Sequence, residues 1–207
     1  MATAAPDPPR PGAADPPRPM RADARRNYER LVAAGRDAFT ERGPDATLDD
    51  VARRAGVGAG TLYRHFPTRE ALLDAVYRQD VADLRALADK LLAEHPPDDA
   101  LAAWMREQVQ YVLRKRALGP FIKAVLERDH SATLARCRQM LREAAGSMLA
   151  PAQEAGTIRE DVTPADVLRL GHAVGAVVET PEEADRLLGV LLDGLRPQGG
   201  QSPAAVE

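Results

Sequence analysis

The stretch Thr47-Leu-Asp-Asp-Val-Ala-Arg-Arg-Ala-Gly-Val-Gly-Ala-Gly-Thr-Leu-Tyr-Arg-His-Phe66 decides the fold. Thr47 reads as a helix N-cap, its hydroxyl accepting a bond from the Asp50 amide, and Asp49 and Asp50 sit favourably at the positive end of the new helix. Gly56 closes that helix after about Ala55. A second short helix begins near Gly58 and stops at His65 or Phe66, because Pro67 biases the residue before it away from helical angles. Leu48, Val51 and Ala52 pack the first helix, Ala55 and Val57 seal the turn, and Leu62 and Phe66 bury the second. Small side chains at Ala52 and Ala55 let two helices cross closely at roughly 90 to 120°, the angle of a helix-turn-helix rather than of an ordinary hairpin.

With those apolar residues inward, Gly58, Ala59, Thr61, Tyr63, Arg64 and His65 are left on the outer face or at the ends of the second helix. A helix of this kind enters the major groove, where Thr61 and Arg64 can read base edges and Ala59 or the Thr61 methyl can touch a thymine methyl. Tyr63 and His65 suit phosphate contacts, which fix register without reading sequence. Thr47 and Arg69, near the starts of flanking helices, suit the same role. Gly58 and Gly60 do not make a nucleotide cradle, since neither the preceding strand nor the rest of that pattern is present.

Outward from this unit every segment has the period of a helix, and no run of alternating β-branched residues suggests a sheet. An all-α chain of about nine helices is expected. The first runs from about Asp23 to Arg42 and ends at Gly43-Pro44. Thr68 caps a long fourth helix carrying Leu72, Leu73, Val76, Leu84, Leu87 and Leu91, which His95-Pro96-Pro97 terminates. Further helices are expected from Asp98 to about Ala117, from Pro120 to about Arg128, and after Ser131. Thr163-Pro164 with Asp166 and Thr180-Pro181 with Glu183 each combine an N-cap, a proline at the first helical position and an acid at the third. They open helices from about Pro164 to Val178 and from Pro181 to Leu195.

The domain reading follows. The first 20 residues hold seven prolines and almost no large apolar side chains, as a disordered leader would. Residues 21–67 form the helix-turn-helix unit, residues 68–196 a second helical domain joined to it by the 68–95 helix, and residues 197–207 a flexible tail.

Composition narrows the function. The chain of 207 residues has a formal charge of -3, unusual for a nucleic-acid binder, but the acidic surplus is not evenly spread. Arg21 to Arg85 holds 12 arginines against 11 acids, whereas 14 basic residues face 18 acids from Ala86 onward. A DNA-binding protein best tolerates acids in that second half. The single cysteine, Cys137, excludes an intrachain disulfide and fits a reducing compartment. No segment is long and apolar enough to span a membrane and none resembles a secretion signal, so a cytoplasmic, DNA-associated protein without membrane partners is expected. His65, His95, His130 and His172 lack close metal spacing and no nucleophile sits on an elbow motif, so neither a metal nor catalysis is expected.

Two stretches, Thr47-Leu-Asp-Asp-Val-Ala-Arg-Arg-Ala-Gly-Val57 and Gly60-Thr-Leu-Tyr-Arg-His-Phe-Pro-Thr-Arg-Glu-Ala-Leu72, closely resemble the DNA-binding domain of the tetracycline-repressor (TetR) family, with the likeness covering about Arg25 to Tyr77. The resemblance implies an all-α homodimer that binds a palindromic operator on double-stranded DNA, usually as a repressor, and releases it when a small molecule enters the second domain. It supports Thr47, Tyr63 and His65 as phosphate contacts and Gly58 to Arg64, with Gly60 inside, as the recognition helix. Arg69 stands where the family commonly has lysine, and Gly58 where many members have serine or threonine. The run from Ala165 to Val178 and the leucine-rich helix after it look like an actinobacterial-type carboxy-terminal domain.

Within that second domain Val167, Leu170, Gly171, Val174, Gly175 and Val178 form an apolar face with two small residues four apart, which permits close helix approach. With Leu187, Leu188, Leu191 and Leu195 it is the expected dimer interface, a four-helix arrangement from two chains. Trp104, Met105, Gln108, Tyr111, Phe121, Cys137, Met140 and His172 are the candidate lining of a pocket for an unidentified, mostly apolar effector, with packed core as the competing reading. No cofactor is expected. The alternative function is a helical small-molecule-binding or protein-interaction module without specific DNA binding.

Overall fold

A computed structural model describes residues 18–115 and 132–197. Among the described residues there are eight α-helices: α1 (Arg18–Arg42), α2 (Leu48–Ala55), α3 (Ala59–His65), α4 (Arg69–Glu94), α5 (Pro97–Lys115), α6 (Ala132–Glu154), α7 (Pro164–Val177) and α8 (Pro181–Leu195). The all-α expectation holds. The helix expected from Pro120 to Arg128, with Phe121, and the Ser131 cap lie outside the described residues. Helix α1 starts at Arg18, five residues before the expected Asp23, because the arginine-rich segment continues the first helix.

Local chemistry sets the helix starts. Thr47, Thr68, Thr163 and Thr180 each accept a bond from the amide three residues on, at 3.2, 3.2, 3.3 and 3.2 Å. At Thr163 the Asp166 carboxylate returns the favour by accepting from the Thr163 amide, a complete capping box. Glu183 reaches one residue further back and accepts from the Glu179 amide instead.

Two apolar cores result. The first joins α1, α2, α3 and the start of α4 through Leu31, Phe39, Val51, Leu62, Phe66 and Leu72. The second joins the far end of α4 to α5, α6, α7 and α8, with Trp104, Met105, Met148 and Leu188 fully enclosed. The α4 residues Leu72, Leu73, Ala75 and Val76 belong to the first core and Ala88 and Leu91 to the second. No helix among the described residues is long and apolar enough to cross a membrane.

Packing within the chain bears on two expectations for the second domain. The glycine-containing face of α7 packs inside its own chain. A Cβ added to Gly171 would lie 2.6 Å from Gln108 Oε1, and one added to Gly175 would lie 2.7 Å from both the Val109 carbonyl and Val112. Val167, Gly171, Gly175, Val178, Leu188 and Leu195 are buried there, with Leu170, Val174, Leu187 and Leu191 half-buried beside them. The small residues do permit a close helix approach, but to α5. The expected effector lining is also largely core: Trp104 donates its indole N–H to the Leu84 carbonyl at 2.9 Å, Met105 is enclosed beside it, and Gln108 donates to the Leu168 carbonyl at 3.1 Å. His172 lies on the exposed side of α7, away from them. Cys137 is buried and Met140 and Tyr111 are half-buried.

Candidate nucleic-acid interface

The turn ahead of α3 is held from behind. Gly56 adopts φ +62°, a left-handed conformation that side chains resist, and its carbonyl accepts from the Arg30 guanidinium of α1 at 3.2 Å. Extended Gly58 then opens α3, its carbonyl accepting from the Thr61 and Leu62 amides at 2.9 and 3.2 Å. Leu62 is fully buried against the core, and Phe66 closes the helix with its amide 2.7 Å from the Leu62 carbonyl.

This seating turns one face of α3 outward. Ala59, Gly60, Tyr63 and Arg64 are exposed, and Thr61 is half-buried. Tyr63 is 46 % exposed, one of the few large apolar side chains left open. Arg64 lies along the helix, its Nε donating to the Gly60 carbonyl at 3.2 Å and its terminal nitrogen 3.5 Å from Thr61 Oγ1. The two candidate base readers are thus side by side. His65 is half-buried, its ring 6.1 Å from Tyr28 in an edge-on contact and 6.2 Å from Phe66. It therefore packs as well as facing outward.

The flanking residues also have two duties. Thr47 is exposed; its oxygen caps α2, and its hydroxyl proton is still a donor. Arg69 donates to the Gly43 carbonyl at 3.1 Å and lies over the Phe39 ring at 5.3 Å, bracing the start of α4 against the end of α1.

Sequence reasoning overlooked two things. No acidic residue occurs from Val51 to Arg69, while Arg53, Arg54, Arg64 and Arg69 do, although Arg53 and Arg54 are paired with Asp50 and Glu41 from outside that stretch. That signal was available in the sequence. The second is a charge cluster at α2, where Asp50 is bonded by Arg53 one turn on and by Arg42 of α1 at 2.7 Å. The bond with Thr47 foremost, then these arginines, hold the Asp50 carboxyl below its ordinary range. The Arg42 contact is tertiary and leaves no local trace.

Gly58 supplies no side-chain cap, and a Cβ at Gly58 or Gly60 meets nothing within 4 Å. Gly58→Ser is expected to stabilise the protein by about 0.3 kcal/mol. Gly60→Ala, in the first turn of α3, is expected to add about 0.5 kcal/mol by restricting the unfolded chain. Urea-denaturation midpoints check both; a lower midpoint for Gly60→Ala would show that the helix needs the glycine for a reason other than space.

The comparisons with known proteins agree with this geometry. Residues 31–76 match the family model described as "Bacterial regulatory proteins, tetR family", and residues 96–197 match "Transcriptional regulator SbtR-like, C-terminal domain". The structure is similar to that of the TetR transcriptional regulator SCO0520 from Streptomyces coelicolor, with 39 % identity, a TM-score of 0.72, and coverage of 83 % of this chain and 99 % of that one. It is similar also to the TetR transcription regulatory protein from Mycobacterium vanbaalenii, at 35 % identity and TM-score 0.70 over 86 % of this chain and 100 % of that one. The HTH-type regulator UidR of Escherichia coli is 27 % identical over 160 residues, 71 % of this chain and 76 % of UidR. The fold alone is shared with RolR, solved in complex with resorcinol (22 % identity, TM-score 0.55, over 87 % of this chain and 91 % of that one), and with Thermus thermophilus FadR, solved with lauroyl-CoA (23 % identity, TM-score 0.51, over 86 % of this chain and 100 % of that one). With a helix-turn-helix whose second helix leaves Ala59, Gly60, Tyr63 and Arg64 exposed, and with relatives that match over their whole length, the chain belongs to the TetR family of transcriptional regulators.

Proposed function

We propose that this regulator is a homodimeric, ligand-responsive repressor that binds a palindromic operator through one α3 per half-site. The observation that carries the reading is the outer face of α3, where Thr61 and Arg64 stand together on a helix that carries no carboxylate of its own. In this reading Arg64 and Thr61 meet base edges, Tyr63, His65 and Thr47 meet phosphates, and Arg69 braces α4 near the backbone. The place of action is the cytoplasm, on DNA, and no catalysis is involved.

One short recognition helix touches few base pairs, so a second copy is needed to reach a half-site one helical turn away, roughly 34 to 36 Å. The dimer face is proposed on the side of α7 and α8 turned away from α5. Val177 is 70 % exposed and Val190 67 %, and the small residues Ala173, Ala176 and Gly189 are exposed between them. The half-buried Leu170, Val174, Leu187 and Leu191 of the expected interface lie on the same two helices.

The effector is proposed to be an organic molecule with an apolar portion, in line with the fold neighbours solved with resorcinol and lauroyl-CoA, which offer an aromatic ring and an acyl chain. Its place is the α4–α5–α6 side, around Tyr77, Tyr111 and Cys137, rather than the packed centre at Trp104. Burial above all pushes the Tyr77 phenol up to about 12, so it stays a neutral donor toward any guest.

The test is selection of bound fragments from a random duplex library with the full chain, followed by affinity measurements across salt concentrations. The expected result is an inverted repeat whose binding weakens as salt rises, because each neutralised phosphate releases counterions. No enriched duplex at low salt would favour the helical ligand-binding or interaction module instead.

A further inference from the structure

Among the described residues the two apolar cores do not merge along α4. Between Val76 of the first and Ala88 of the second lie Val81 and Leu84, buried but part of neither, and the polar residue Asp80. Asp80 is the meeting point of both domains. From the DNA-binding unit, Arg36 of α1 places its Nε 2.7 Å from Asp80 Oδ1. From the second domain, Lys115 at the end of α5 brings its Nζ to 3.8 Å from Asp80 Oδ2, and Tyr111, one turn earlier, lies beside the same carboxylate. Arg36 also reaches Asp83 at 2.6 Å, which Gln79 holds at 2.8 Å.

Three properties separate this cluster from an ordinary surface ion pair. Its centre is enclosed, with the side chains of Asp80 and Lys115 only 6 % and 9 % exposed. Its members come from both sides of the boundary between the cores, where apolar contact, being non-directional, does little to fix an angle. A cavity of about 180 Å³ adjoins it, lined by Arg36, Thr40, Asp80, Tyr111 and Lys115 among others, so the side chains have room for a second arrangement that a close-packed interior would forbid.

We propose that Asp80, gripped by Arg36 on one side and by Lys115 and Tyr111 on the other, is the joint that sets the angle of the DNA-binding unit on the second domain, and that Lys115 is a positioning residue for operator binding. The proposal rests on the reading of the chain as a dimeric operator-binding protein. Burial works against both charges, raising the Asp80 carboxyl and lowering the Lys115 ammonium despite their mutual attraction. Because Arg36 and Lys115 share one carboxylate, a change at the end of α5 is felt by Arg36. While the joint is closed, the two recognition helices of a dimer are preset at one spacing; once it is opened they must be ordered at the moment of binding.

The experiment compares wild type, Lys115→Met, Lys115→Arg, Arg36→Met and the Lys115→Met/Arg36→Met double variant on two duplexes, the selected inverted repeat and one isolated half-site, with thermal melting of each protein as the check on folding. Lys115→Met is expected to weaken the inverted repeat by about tenfold while half-site affinity stays within about twofold, with Lys115→Arg close to wild type. The double variant is expected to bind the repeat no worse than the weaker single variant, since both act on one joint. Equal loss on the two duplexes, or no loss on either by folded variants, overturns the joint and leaves the regulator reading standing. A wild type that retains no duplex overturns both.

Discussion

Arg64→Ala is expected to cost about 2–6 kcal/mol of operator affinity, because a base-reading arginine contributes about 1–3 kcal/mol and a dimer presents two of them. At about 1.4 kcal/mol per decade that is a loss of roughly 30-fold to more than 10⁴-fold. The size follows from how Arg64 is held. Its Nε is tied to the Gly60 carbonyl and its tip lies beside Thr61, so much of the freedom a long side chain would lose on binding is already lost. Arg64→Lys separates charge from shape: the ammonium keeps the attraction to phosphate but not the planar pair of donors that matches guanine. Anisotropy titrations against the selected operator and its single-base variants provide the measurement. A loss spread evenly over all sequences, with no half-site position relaxed, would make Arg64 a backbone contact and leave base reading to Thr61.

Trp104→Ala is expected to lower folding stability by about 3–5 kcal/mol, which is a large share of the ~5–15 kcal/mol by which most domains are stable. Trp104 has no exposed surface, and it is the largest side chain in the second core. Its removal leaves a hole in the second core and deletes the bond to the Leu84 carbonyl of α4. Trp104→Phe keeps most of the volume and isolates the bond, for an expected loss of about 1–2 kcal/mol. Denaturant unfolding followed by circular dichroism reads both, since the chain has no other tryptophan to report by fluorescence. A loss below about 1 kcal/mol for the alanine variant would mean that the site collapses around the gap, and that this centre is soft enough to admit a guest.

What was legible in the sequence was local. Four threonine caps, the glycine corner at Gly56 and the stop at Pro67 act within a few residues, so their signatures survive in the linear chain and place α2, α3, α7 and α8 to within a residue or two. Periodicity likewise shows which face of a helix is apolar. It does not show what covers that face. Gly171 and Gly175 announce a close approach between helices, and the same spacing serves a neighbour in the chain or a second copy; the structure supplies α5. For the same reason Trp104 and Gln108 carry one pattern whether they line a pocket or fill a core. Asp80 is the limiting case. Its partners lie on α1 and α5, and nothing near it in sequence marks it as more than an acid in a long helix.

Helix α4 has a mechanical consequence. From Leu91, set in the second core, to Arg69, braced beneath the DNA-binding unit, the helix rises about 33 Å at 1.5 Å per residue. As a rigid lever pivoting at its far end, it needs a tilt of only about 6° to carry that unit roughly 3.4 Å, the rise of one base-pair step. In a two-fold pair the displacement doubles, and the two reading heads drift out of phase with the turn of the duplex. A side-chain rearrangement too small to disturb either core is thereby converted into a mismatch of whole base pairs.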